Sequence, residues 1–351
     1  MYRIPTTQLL PENPRLTRSL AGQKIDWGLH YTGLPEMWKL SKGEKTVVYI
    51  IDDGISVHED LEGQIIARYA FNPQNSTDPI GFHGTFVAGI VAGIDNDKGI
   101  VGVAPKAKIV GIHVLNENAE GDPEDLAKAI VFATDHKTPL PYKVINISLG
   151  SERPDPIVRE ALRYAESKGV PVVCAAGNSG EETGKLDFPA GFFETISVGG
   201  HNQQGDPSPF SNSDSVGITP LDCIAPAENI TSLVNTSDYR QASGTSFAAP
   251  FISGVIALMQ GVSPNQLSGA DVRLILRQTA VDIMPSGYDG KTGFGKAAPI
   301  TAVKQAKNRK PKVTIVPPSL EESIKKGLNQ LITLGIMVLQ KVNSWLQKMG
   351  F

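Results

Sequence analysis

Cysteine is nearly absent, with two residues in a chain of 351. That scarcity excludes a disulfide framework and a cysteine-based zinc site. Charge of one sign is missing too: 33 Lys and Arg against 36 Asp and Glu leave a formal net charge of -3. No global positive field exists to hold a nucleic-acid backbone, so no nucleic-acid partner is expected. The opening segment from Met1 to Leu20 holds no apolar run suited to a signal peptide or membrane anchor, and the expected location is cytoplasmic. Internal repeats and low-complexity tracts are also lacking. What is present is a 40% hydrophobic content, 35 Gly and 25 Pro. The first supplies a full core, and the other two suit the many tight connections of alternating strands and helices.

Thr46-Val47-Val48-Tyr49-Ile50-Ile51 is an apolar, β-branched run ending at Asp52-Asp53-Gly54, which reads as a buried strand delivering two carboxylates into a turn. Similar runs span Lys108 to Val114, Val144 to Ser148, Val170 to Ala175 and Thr195 to Val198. Helix-like stretches lie between them, at His83 to Gly93, Pro123 to His136, Pro156 to Lys168 and Thr245 to Gln260. The alternation predicts an α/β protein with a mainly parallel sheet covered on both faces, whose chemistry gathers at the carboxyl ends of the strands.

The character changes after Ala306. Residues 307–318 form a basic, Pro-containing linker, and Ser319-Leu320-Glu321-Glu322 has the spacing of a helix capping box. The amphipathic helix expected over 319–351 carries Ile324, Leu328, Leu331, Val338, Val342 and Trp345 on one face. Its apolar core is far shorter than the roughly 20 residues needed to span a bilayer. It either packs on the protein's own surface, docks a partner, or lies on a membrane surface through Lys325, Lys326, Lys341 and Lys348.

Asp52 at a strand end, His83 in Gly81-Phe82-His83-Gly84-Thr85, and Ser246 in Gly244-Thr245-Ser246-Phe247-Ala248-Ala249-Pro250 form an Asp, His, Ser series. Alone, the His reads as a helix-start or surface residue and the Ser as an N-cap. Together, the three neighbourhoods resemble the catalytic motifs of the subtilisin-like serine proteases, which use this chain order. Val172-Val173-Cys174-Ala175-Ala176-Gly177-Asn178-Ser179-Gly180 resembles the family segment whose Asn donates to the oxyanion. The similarity runs from about Gly22 to Ala306. It implies a three-layer α/β/α fold and a serine endopeptidase acting on protein or peptide substrates. Asp52 would orient His83, His83 would hydrogen-bond and activate Ser246, and Asn178 with the Ser246 N–H would receive the oxyanion. A transpeptidase, or an inactive peptide-binding scaffold, are the other functions such a chain could have.

Substrate recognition follows from the same resemblance. Ser148, Leu149 and Gly150 correspond to the strand that pairs with substrate backbone, Leu115 to Gly121 to the facing edge, and Gly177 to the pocket wall. Aligning Phe188-Pro189-Ala190 puts Asp187 at the base of the primary pocket, where the kexin-like branch selects Arg or Lys. That branch also carries Asp-Asp-Gly, and Glu117, Glu120 and Asp122 make the edge acidic. Arg153 is the contrary sign, placed to neutralise Asp187.

Leu34-Pro35-Glu36-Met37-Trp38 and the short leader look more like the intracellular subtilisins. Arg3-Ile4-Pro5 resembles their inhibitory Ile-Pro element, with Thr6 where an aromatic residue is usual, so residues 1–21 form either an autoinhibitory extension or a disordered tail. Ile94-Asp95-Asn96-Asp97-Lys98-Gly99-Ile100 resembles the family's calcium loop. Carried over by position, Gln23, Asp60 and Asn96 would give side-chain oxygens, and Ile94, Lys98 and Ile100 carbonyls, to a structural Ca²⁺; the alternative is a polar turn without an ion. Gly290 to Ala297 falls short of a P-loop, because Ala297 replaces the hydroxyl that would reach Mg²⁺, and it reads as the turn into a last strand. Cys174 and Cys223 are expected to be buried free thiols.

Overall fold

The computed structural model describes residues 1–5, 8–9, 22–180, 184–214, 221–283 and 285–310. The chain divides into a unit from Met1 to Lys310 and a second from Pro311 to Phe351. The linker expected over 307–318 starts later than that, since Lys307 still belongs to the last described helix, Asn308 caps it and Arg309 pairs with Asp271; residues 311–318 and the amphipathic helix expected over 319–351 lie outside the described residues.

In chain order the strands are β1 (Tyr2–Arg3), β2 (Gln8–Leu9), β3 (Thr46–Asp52), β4 (Ile65–Ala70), β5 (Lys108–His113), β6 (Glu120–Gly121), β7 (Tyr142–Ile147), β8 (Val172–Ala175), β9 (Ile196–His201), β10 (Cys223–Pro226), β11 (Ile230–Val234) and β12 (Asp238–Ser243). The helices are α1 (Trp27–Tyr31), α2 (His83–Ala92), α3 (Pro123–Asp135), α4 (Pro156–Ser167), α5 (Thr245–Val262), α6 (Gly269–Thr279) and α7 (Pro299–Lys307). Seven strands form one sheet in the order β10-β9-β8-β7-β3-β5-β4, and every pairing in it is parallel. This is the expected three-layer α/β/α arrangement.

Strand periodicity builds the layers. Along β3, Val48 and Ile50 enter the core beneath α2 and α5, whereas Val47, Tyr49 and Ile51 enter the opposite core beneath α3 and α4. A strand buried on both faces is apolar throughout, which is why its sequence shows no alternation. The same logic explains α5: it is long and apolar enough to cross a membrane, yet 89% of its apolar window is buried inside the protein. Asp122 caps α3 by accepting from the Glu124 N–H, with Pro123 at the first helical position. Ser268 and Asp271 close a capping box on α6.

The turn at Gly290–Ala297 does not enter a last strand. Lys296 makes isolated bridges to Ile224 and Val281, and the chain then turns into α7; the Pro at that helix's start ends the extended stretch. Cys174 and Cys223 are buried and unpaired, and burial raises both thiols, which makes them inert.

Candidate active site

The parallel sheet brings the predicted residues to one edge. Asp52 ends β3, Ser148 to Gly150 follow β7, and Gly177-Asn178 follow β8, all at carboxyl ends where strand order reverses around β3 and β7. His83 opens α2, and Ser246 is the second residue of α5. The helix begins one residue before the Ser, because Gly244 takes the cap position.

His83 Nδ1 lies 2.8 Å from Asp52 Oδ1, and both side chains are buried. Burial opposes the charged imidazole, but the Asp52 charge, its hydrogen bond and the Asp53 charge outweigh it and raise the His83 pKa. The pair fixes the proton on Nδ1 and leaves Nε2 as the basic nitrogen. Nε2 is buried and has no hydrogen-bond partner among the described residues. The expected His83–Ser246 hydrogen bond is not formed. Instead Ser246 Oγ donates to the Ser148 carbonyl at 3.4 Å, near the long limit for such a bond. The Ser148 carbonyl is the acceptor within reach of Oγ, and catalytic hydrogen bonds are often long until the reacting complex forms.

Two residues outside the expected set hold this geometry. Asp53 accepts from the backbone N–H of His83 at 3.2 Å and of Gly84 at 2.7 Å, so it caps a helix whose own cap position, Phe82, offers no acceptor. Burial and the Asp52 charge push the Asp53 pKa up to about 7. The approach requires glycine at the second helical position: a Cβ on Gly84 would stand 2.3 Å from the Gly54 carbonyl oxygen. Thr245 is the second residue. Its N–H and Oγ1 donate to Asn178 Oδ1 at 2.9 and 2.7 Å, while Oγ1 accepts from the Gly177 N–H. With its oxygen held, the Asn178 carboxamide presents its NH₂ end elsewhere, and the Ser246 N–H belongs to the first helical turn, whose amides lack intrahelical acceptors. Asp53 was legible only as part of Asp-Asp-Gly, and Thr245 as the residue before Ser246.

Asp187 lies between the two expected walls. A Cβ on Gly177, whose φ is +108°, would stand 2.5 Å from Asp187 Oδ2, and one on Gly150 3.0 Å from it. Asn212 donates to its Oδ1 at 3.1 Å. Burial and the neighbouring Glu152 push its pKa up to about 6. Arg153 lines the same cavity, of about 580 Å³. No ion pair joins Arg153 to Asp187 among the described residues, so the expected neutralisation is not seen.

The N-terminal segment lies in this cleft as a strand. β1 pairs antiparallel with β6, Tyr2 opposite Gly121, and Arg3 exchanges backbone hydrogen bonds with Gly150 at 2.9 and 2.8 Å. Leu115 bridges Gly121 beside it. Leu149 and Leu115 share a buried cluster with Tyr2, which is 1% exposed. Arg3 pairs with Glu120. Beyond Pro5, β2 pairs antiparallel with β12 at Ala242 and Ser243, so the segment touches both sides of the cleft.

In the expected calcium loop, the Gln23 amide nitrogen meets the carbonyls of Ile94 at 2.7 Å and Lys98 at 3.5 Å. Three of the expected donors therefore converge, and an amide turned end for end would present oxygen. Asn96 Oδ1 accepts from the Lys98 N–H, and Asp60 Oδ2 accepts from the Ile100 N–H and the Tyr239 hydroxyl. An all-oxygen set rich in carbonyls fits Ca²⁺. No group of three or more His, Cys, Asp or Glu suited to a metal occurs among the described residues.

The profile of the subtilase family matches residues 43–295. The major intracellular serine protease of Bacillus subtilis is 36% identical over 273 residues, covering 73% of this chain and 83% of that protein. An intracellular serine protease of Paenibacillus polymyxa is 35% identical over 246 residues, covering 68% and 73%. Thermitase of Thermoactinomyces vulgaris is 35% identical over 256 residues, covering 72% and 87%. With the buried Asp52–His83 pair, the Ser246 helix start and a matching profile over most of its length, the chain belongs to the subtilase family and is an enzyme of serine-protease type.

Proposed function

We propose that this subtilase hydrolyses peptide bonds through an acyl-enzyme on Ser246. His83 Nε2 takes the Oγ proton as Oγ bonds to the scissile carbonyl carbon, and the carbonyl oxygen becomes an anion received by Asn178 and the Ser246 N–H. Collapse breaks the C–N bond, and the amine leaves with the proton from His83. Water then repeats the sequence against the ester and frees Ser246. The observation that carries this reading is the buried Asp52–His83 pair at 2.8 Å with an unpartnered Nε2. A fluorophosphonate should label the folded chain and fail to label Ser246→Ala. A folded, calcium-loaded and N-terminally processed sample that takes no label would favour an inactive scaffold. Product masses from one model peptide separate hydrolysis from transfer to an amine.

Asp187 would select Arg or Lys before the scissile bond, with Ser148, Leu149 and Gly150 pairing to the peptide backbone and Leu115 and Gly177 shaping its walls. A library cleaved with no enrichment of Arg or Lys there would sink this preference. The antiparallel seat of β1 against β6 and Gly150 supports an autoinhibitory role for residues 1–21, since substrate needs the same edges. Gln23, Asp60, Asn96 and the carbonyls of Ile94, Lys98 and Ile100 would hold a structural Ca²⁺. Two relatives are named as intracellular enzymes, which supports a cytoplasmic location.

A further inference from the structure

Arg240 is a cation without an assigned task. Its guanidinium lies over the Phe82 ring, 5.2 Å from the centroid. Nε is buried and makes no hydrogen bond, and no carboxylate lies within ion-pair distance among the described residues. Asp238, two residues back on the same strand, makes no ion pair with it. A desolvated donor left unmatched is costly. Beside it opens a cavity of about 390 Å³ lined by Ser56, Ile80, Gly81, Phe82, Asn235 and Arg240, among others.

The cavity sits next to the proposed chemistry. Phe82 precedes His83, and β12, which carries Arg240, runs through Ser243 into Gly244-Thr245-Ser246. One edge of β12 is held by β11, and the other accepts β2 antiparallel, with Gln8 opposite Ser243 and Leu9 opposite Ala242. That register shows how an extended chain lies on this edge. A peptide continuing in it comes level with Arg240 three residues after the one opposite Ser243, and side chains opposite one another in an antiparallel pair share a face.

We propose that Arg240 is a specificity-determining residue on the leaving-group side, receiving the Asp or Glu side chain of a peptide strand laid along β12. The guanidinium offers the paired donors a carboxylate matches, and Phe82 holds its plane. The proposal rests on the peptidase reading above and adds a second charge preference to it, opposite in sign to that of Asp187.

The test uses the full chain and pairs of peptides identical except for Asp against Asn, or Glu against Gln, at successive leaving-group positions. At one position kcat/KM should favour the acid about three- to tenfold, and the advantage should shrink in high salt. Arg240→Gln should bring that ratio to one, Arg240→Lys should keep part of it, and Arg240→Glu should turn the preference toward Lys. A ratio near one at every position, or one that survives Arg240→Gln, overturns the proposal. If no peptide is cut, the peptidase reading fails separately. Binding of the same pairs to full-length Ser246→Ala, followed by fluorescence anisotropy, still decides for or against Arg240.

Discussion

Around His83 two carboxylates divide the labour. Asp52 meets the imidazole directly, and Asp53 holds the backbone that carries it. Because both charges help raise the His83 pKa, the imidazole stays protonated, and useless as a base, to a higher pH than an ordinary His. The acid limb of kcat/KM should lie above the usual value near 6.5. Asp53→Asn removes the charge and keeps an acceptor for only one of the two helix amides, so that limb should move to lower pH with some loss of stability; a profile that does not move would assign Asp53 to folding alone. Asn178→Ala should cost about 10²–10³ in kcat, the loss known for the corresponding donor in subtilisin, where the effect was established. Thr245→Val removes one neutral hydrogen bond to that carboxamide and the acceptor of the Gly177 N–H, so about tenfold in kcat with little change in KM is expected. The Asp187 pKa is also raised, but by burial and the like charge of Glu152, which push it up to about 6, whereas opposite charges raise that of His83. Below that pH it is a neutral acid and above it an anion, so a preference for Arg or Lys should be weak at pH 5 and grow toward pH 8. Discrimination that stays flat across that range would exclude Asp187 as its source.

At the scale of elements, the proposed autoinhibitory role would make the N-terminal strand the gate to the cleft. β1 occupies the edge of β6 and the Gly150 backbone, where a substrate would add its own strand. If the segment fills the cleft about nine-tenths of the time, apparent affinity falls about tenfold. Removing residues 1–9 should therefore raise kcat/KM by at least about tenfold, mainly through KM, and an unchanged value would leave the strand a bystander. Elements of this kind mark the limit of sequence reading. The buried strands β3, β5, β7 and β8 and the helices α2 to α5 announce themselves by apolar runs and caps, and the motif residues at their ends follow. The pairings of β1 and β2 are two residues long and depend on the edges that β6 and β12 offer, so no periodicity encodes them; only the resemblance of Arg3-Ile4-Pro5 to an inhibitory element points to β1. Asp53 stands out in the sequence only within Asp-Asp-Gly, and Arg240 not at all, since their partners are the start of α2 and the Phe82 ring, far away in sequence.

Over the whole molecule, the loop from Ile94 to Ile100 ties separate parts of the chain together. Lys24 donates to the Gly99 carbonyl, the Ile94 N–H donates to the Asp60 carbonyl, and Tyr239 from β12 reaches Asp60. The loop follows directly on α2, so its fixation bears on the helix that carries His83. A cation bound to Gln23, Asp60, Asn96 and the loop carbonyls would close these contacts in the folded state only. Its stabilisation by mass action is about 4 kcal/mol at a thousandfold excess over Kd. For a domain of this size each kcal/mol shifts Tm by about 2–4 °C. Chelation should thus lower Tm by about 8–16 °C, and Ca²⁺ should restore it where Mg²⁺ does not, because Mg²⁺ demands a tighter octahedral shell and sheds water reluctantly. Asp60→Asn should weaken the response to Ca²⁺ by removing the one full negative charge in the set. A melting temperature indifferent to chelator would mean that the Gln23 amide, hydrogen-bonded to Ile94 and Lys98, closes the loop by itself.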